Sequence, residues 1–271
     1  MGRKSEAHSA DQRPHADGIR QFCVAFPFSR SSAPAGIVSL HRTAPVTALL
    51  WLGALVVTSP AAAETRPPVV ELFTSQGCSS CPPADALLGE LARRGDVIAL
   101  GFHIDYWDKL GWKDPLSTPQ STERQRRYAR LFGTPTYTPQ LVIDGTREMV
   151  GSQRETVLAA LRETTPAAVA PVAFATDRRA VTIGTAAAAA GDGQVWLVRF
   201  AQKRRTQIGA GENARRTLDD TNGVESLAAL GEWRGTEATF PLDPPAPGEG
   251  LAVLVQTADG HILGAAILLG S

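Results

Sequence analysis

The spacing of apolar residues changes several times along this chain, and each change marks an element. From Val69 to Phe73 β-branched and aromatic residues stand side by side, a run of strand length closed by a polar turn. From Ala84 to Ala92 the apolar positions recur at helical spacing, and Gly95 supplies a stop. Val97 to Ile104 is almost wholly apolar, the pattern of a central strand covered on both faces. Ser121 to Phe132 predicts a helix ending at Gly133, with Arg124, Arg126, Arg127 and Arg130 on a solvated face. Gln140 to Ile143 is a strand, Asp144-Gly145 a hairpin turn, and Glu148 to Val150 the return. Ser152 is expected to cap a helix from Glu155 to Leu161, with Glu155 as its capping-box partner. The order is β-α-β-α-β-β-α.

The texture changes after Pro166. Pro171 to Ile183 predicts a hairpin around Asp177-Arg178-Arg179. Strands follow at Gln194–Phe200, Phe240–Leu242, Leu251–Gln256 and Ile262–Leu268, separated by Gly, Pro and Asp turns. One helix is expected at Val224–Leu230. The expected organisation is an α/β domain over 64–165 and a β-rich domain over 166–271, antiparallel and sandwich-like.

Residues 1–63 follow neither pattern. The first forty or so are polar without a period. The apolar run Val46–Val57 then follows His41-Arg42 and precedes Ala61-Ala62-Ala63, the layout of a secretory signal. The run is shorter than the ~20 apolar residues of a spanning helix. The expected mature chain begins near Glu64 and is periplasmic or secreted, without stable membrane association. Composition adds little: among 271 residues, 43% are hydrophobic and 20% charged, an ordinary globular balance. Lys+Arg 27 against Asp+Glu 27 gives no basic excess, which argues against nucleic acid as a partner.

Cleavage would leave Cys78 and Cys81 as the only cysteines, in the turn Gly77-Cys78-Ser79-Ser80-Cys81-Pro82 between a strand and a helix. A helix N-terminus favours a thiolate through its free N–H groups and its dipole. Pro82 and Pro83 suit a first helical turn, where missing N–H groups do no harm. Three functions fit the pair. The first is thiol–disulfide exchange on protein or small-molecule thiols, with Cys78 the more exposed, attacking thiol and Cys81 the resolving one. The second is copper(I) carriage helped by His103. The third is a static disulfide in a binding scaffold, the ordinary state of an exported pair. No organic cofactor is expected. Thr138-Pro139, before a buried strand, is expected cis and beside Cys78, shaping a substrate groove. His103, Asp105 and Tyr106 end the second strand, where an open α/β sheet lines its crevice, and are candidates for substrate binding. Gly209 to Arg216 is a glycine-rich stretch best taken as a tight connection.

The element order, with C-x-x-C after the first strand and Pro before the third, resembles the thioredoxin fold over Val69 to Leu161. The departures are Gly77 before the first cysteine, Ser79-Ser80 between the pair, and Glu71 as the candidate buried carboxylate, one residue farther away. More closely, several segments resemble a family of exported bacterial proteins of unknown function (domain of unknown function, 1223). They are Phe73 to Asp85, His103 to Asp108, Gly111 to Pro115, Tyr137 to Gln140 and Gly211-Glu212-Asn213. That resemblance implies a thioredoxin-like fold and no defined substrate.

Overall fold

A computed structural model describes residues 65–166, 168–186 and 191–270, all within one compact unit, Ser59–Ser271. The expected signal segment lies outside the described residues. The fold is mixed α/β and dominated by strands. In chain order the elements are β1 (Val69–Thr74), α1 (Pro82–Arg94), β2 (Ile98–His103), α2 (Pro119–Phe132), β3 (Gln140–Ile143), β4 (Arg147–Val150) and α3 (Arg154–Glu163). The second half adds β5 (Val172–Phe174), β6 (Ala180–Ile183), β7 (Gly193–Gln207), β8 (Thr217–Trp233), β9 (Ala238–Pro241), β10 (Glu249–Gln256) and β11 (Ile262–Leu269). Among the described residues no helix is long and apolar enough to cross a membrane.

Eight strands form one sheet in the order β11-β10-β7-β8-β2-β1-β3-β4. β1 runs parallel to β2 and antiparallel to β3, and β3 turns back into β4. Every residue of β1 and β2 is buried, as an apolar run covered on both faces requires. Val70 and Leu72 pack with Leu87, Leu88 and Leu91 of α1 and Val157 of α3. On the opposite face Val69 and Phe73 join Phe102, Tyr128 of α2, Phe200 and Leu254. A smaller sheet, β5-β6-β9, buries Val181 and Ile183 with Val195, Trp233 and Val253.

The stretches expected as separate domains share this sheet. β8 lies parallel to β2, registered at Gly101 and Gly223, and Asn222 Nδ2 donates to Ala99 O at 2.8 Å. Three local expectations are corrected. Val224–Leu230 is strand, not helix: alanines and leucines suit a helix, but pairing with β7 from Gly193 to Gln207 overrides that preference. The N-cap of α3 is Gln153, without a side-chain bond, because Ser152 presents its carbonyl to Arg154 N instead. Arg124 is not solvated. It is 4% exposed and paired with Glu71 of β1, which also accepts from Arg124 Nη2 at 2.9 Å and Tyr128 Oη at 2.6 Å. Glu71 is thereby held on the α2 face.

Candidate functional site

The strand β1 delivers the chain into a tight turn, with Cys78 N donating to Ser75 O and Cys81 N to Cys78 O. That turn brings the two thiols together as a disulfide, Cys78–Cys81, with Cα atoms 5.5 Å apart. Cys81 is the N-cap of α1, and Pro82 and Pro83 fill its first turn, where no N–H is needed. Ser79 and Ser80 are exposed between the cysteines, and Ser80 Oγ lies 3.3 Å from Cys78 Sγ.

Cys78 is not the more exposed thiol. Both cysteines are 0% exposed. Two segments remote in sequence cover the turn. Trp107 packs against Gly77, where an added Cβ would lie 3.4 Å from Trp107 Cβ. The tip of the β7–β8 hairpin reaches over from the other half of the chain. Asn213 Nδ2 donates to both Gln76 O and Cys78 O at 2.9 Å, and Glu212 Oε2 accepts from Ser79 N at 3.0 Å. Gly211 makes the close approach to Trp112 possible: its φ is +76°, and a Cβ there would meet Trp112 Cβ at 3.2 Å. The connecting loop of the sequence analysis is thus part of the site.

Beneath the turn lies a buried polar cluster. His103 Nδ1 pairs with Asp114 Oδ2 at 2.7 Å, and Nε2 faces Asp220 Oδ1 at 3.9 Å. Gln76 binds both carboxylates, its backbone N donating to Asp114 Oδ2 at 2.8 Å and its Nε2 to Asp220 Oδ2 at 2.7 Å. Trp112 Nε1 donates to Gln76 Oε1 at 3.1 Å, and Thr74 Oγ1 to Asp85 Oδ1 at 2.7 Å. Burial alone would lower the His103 pKa, but Asp114, Asp220 and Asp85 outweigh it and raise it to about 9. Against its own burial, Asp114 is held below the usual carboxylate range by His103 and hydrogen bonds. Burial pushes Asp85 up to about 7, against the pull of His103 and Thr74, and raises Asp220 as well. Asp85 and Asp220 also line an open cleft of about 370 Å³ between α1 and β8, which begins at Pro82 beside the disulfide.

The other expected site residues fall around this centre. Thr138–Pro139 is cis, and Thr138 Oγ1 accepts from Trp107 Nε1 at 2.9 Å, so Trp107 stands between that bond and Gly77. His103 lies in the buried cluster, 2% exposed, with Nδ1 2.7 Å from Asp114 Oδ2 and Nε2 3.9 Å from Asp220 Oδ1. Asp105 is tied to α2, its N donating to Thr122 Oγ1 at 3.0 Å and its Oδ1 accepting from the same hydroxyl at 2.6 Å. The Tyr106 hydroxyl is buried without a well-formed hydrogen bond, near Gln125 and Thr138, and burial raises its pKa. Among the described residues no group of three or more His, Cys, Asp and Glu side chains is arranged to hold a metal ion.

Sequence reasoning passed over Gln76, Asp85, Asp114, Glu212 and Asn213, although all lie within the segments that carried the family resemblance. Asp220 belongs to none of them. No strand was expected over that stretch, and only its place in β8 turns the carboxylate inward.

A family model described as "Protein of unknown function (DUF1223)" matches residues 69–256. No curated protein matches. A structural-genomics crystal structure of a protein from Agrobacterium tumefaciens is 34% identical, with a TM-score of 0.65, and the match covers 78% of this chain and 97% of that one. HBP35 of Porphyromonas gingivalis matches at 14% identity and a TM-score of 0.48, over 78% of this chain and 77% of its own.

Proposed function

The chain belongs to the family of proteins of unknown function DUF1223, and on that footing we propose that it is an exported thiol–disulfide exchange protein built on a thioredoxin-like fold. The observation that carries the proposal is the Cys78–Cys81 disulfide at the N-terminus of α1, closed across two exposed serines. The fold assignment is supported by β1 lying between a parallel β2 and an antiparallel β3, with the cysteine turn leading from β1 into α1. Export is supported by the apolar run Val46–Val57 and the alanines after it.

In the exchange step a thiolate of a protein or small-molecule partner attacks Cys78 Sγ. The S–S electron pair passes to Cys81, which leaves as a thiolate at the N-cap of α1, where the helix dipole favours negative charge. A second partner thiolate then attacks the partner sulfur of the mixed disulfide and Cys78 leaves as a thiolate, giving an oxidised partner and the Cys78/Cys81 dithiol. In the reverse direction Cys78 attacks a partner disulfide and one partner sulfur leaves as a thiolate. Cys81 then attacks Cys78 Sγ to expel the other and restore the internal bond. The direction of net transfer is set by the partner's potential. The proposal is tested with a model disulfide and the reduced protein. Cys78→Ser should abolish exchange and Cys81→Ser should accumulate a mixed disulfide. Exchange unaffected by either substitution overturns it.

Complete burial of both thiols favours a second function, a static disulfide in a binding protein. Equilibration in graded redox buffers separates the two. A potential below about −300 mV assigns the static role, and a higher one the exchange role.

A further inference from the structure

We propose that the tip of the β7–β8 hairpin is a latch on the disulfide, and that Asn213 is the positioning residue that keeps it shut. The proposal rests on the exchange function above and adds its regulation: a reductant reaches Cys78 only after the tip lifts.

The geometry is specific. Residues 76, 78 and 79 of the cysteine turn all bond the tip. Asn213 Nδ2 serves the carbonyls of Gln76 and Cys78, and the Glu212 carboxylate takes the Ser79 N–H. A neutral carboxamide can present its N–H₂ or its oxygen, and here the choice is fixed. Arg216 Nη1 donates to Asn213 Oδ1 at 2.8 Å, so the amide nitrogen faces the turn. Asn213 is itself 0% exposed. The tip is closed on itself by Ile208 N to Arg216 O at 2.9 Å and Arg215 N to Ile208 O at 2.8 Å. It moves as a unit.

The outward side chains of the arm carrying the tip are solvated. Lys203, Arg204, Arg205 and Gln207 of β7 are exposed, as are Arg216 and Thr217 where the chain returns. Besides the turn, the tip meets Trp112 and Gly111 through Gly209 and Gly211, and Ile208 is buried. Behind it Thr206 and Asp220 accept from Gln76 Nε2 at 3.1 and 2.7 Å, and these bonds anchor the base about which the tip would lift. Exposed hairpins with few buried contacts open locally at far less cost than the whole fold. Attack on a disulfide needs an approach along the S–S axis, and both thiols are 0% exposed while the latch is shut.

Reduction by excess dithiothreitol tests this directly. A reagent thiolate attacks Cys78 Sγ, and Cys81 leaves with the bonding pair. The reagent's second thiol then closes its own ring. The products are oxidised dithiothreitol and two protein thiols, counted after quenching. Asn213→Asp keeps the size of the side chain but removes its N–H donors and sets a carboxylate against two carbonyls. It should be reduced at least about tenfold faster than the parent, the factor expected from losing about one buried hydrogen bond. Glu212→Ala, at an exposed position, should give a smaller increase of about two- to fivefold. Thermal unfolding of the oxidised proteins checks that each remains folded. If Asn213→Asp does not fold, Glu212→Ala decides the matter. Parent-like rates in the folded variants overturn the latch. Faster reduction without exchange on any model disulfide leaves the latch standing and removes the exchange function.

Discussion

His103 keeps its proton because the charges around it outweigh the cost of burying it. In the folded chain its pKa is about 9, whereas an unfolded histidine titrates near ~6.5. The native state therefore binds more protons between those values. The stabilisation is whole below ~6.5 and is lost as pH rises through about 9. Asp85 acts in the same sense at lower pH, since burial raises its carboxyl to about 7 and its ionisation opposes folding. The expected outcome is a urea midpoint that falls steadily from neutral to mildly alkaline pH, with the alkaline part of the slope flattened in His103→Gln. An unchanged slope would show that His103 is not the group titrating. Arg124 gives a second residue-scale prediction. It is buried against Glu71, so Arg124→Met leaves a lone carboxylate in the core and should cost about 3–5 kcal/mol by urea unfolding. The double change with Glu71→Gln should recover most of that. In the sequence Arg124 was one of four arginines on a single helix. Its inward turn depends on an acidic partner on a distant strand, which spacing along the helix does not reveal.

At the scale of elements, the strands and helices around the cysteines follow local pattern closely. Val69 to Phe73, Ala84 to Ala92 and Gln140 to Ile143 each fall within an element of the expected type. Their apolar spacing and their Gly and Pro stops are local and unambiguous. The β7–β8 hairpin was harder. Val224 to Leu230 carries helix-favouring residues, and only pairing with β7 makes it a strand. The exposed outer arm of that hairpin offers no hydrophobic pattern to read. Cross-strand packing is tested at β10. Gly250 stands opposite Phe200 on β7, and a Cβ on Gly250 would overlap the Phe200 ring. Gly250→Val should therefore destabilise by about 1–3 kcal/mol through overpacking. A denaturant midpoint equal to that of the parent would mean the ring has room to move.

Across the described residues, both halves of the chain share the eight-stranded sheet and a core drawn from each. Val69, Phe73 and Phe102 share a cluster with Phe200, Val224 and Leu254, and Asp220 of β8 closes the polar cluster under the cysteine turn. A fragment of residues 65–165 should accordingly show no cooperative thermal transition, as followed by circular dichroism. A sharp transition in the fragment would establish an independent first domain. The change of texture at Pro166 was legible because composition is local. The parallel join of β2 to β8 was not, since it rests on Gly101 and Gly223 lying side by side, and a glycine carries no pattern. The disulfide bears on the whole molecule in a different way. Its partners are separated by only 3 positions, and so short a crosslink removes little freedom from the unfolded chain, about 2 kcal/mol on the chain-entropy estimate. Oxidised and reduced chains are therefore expected to share one architecture, which matching far-ultraviolet circular dichroism of the two forms would check. On the proposed exchange function, the change of redox state would be confined to a single turn, and an electron pair would enter or leave without refolding.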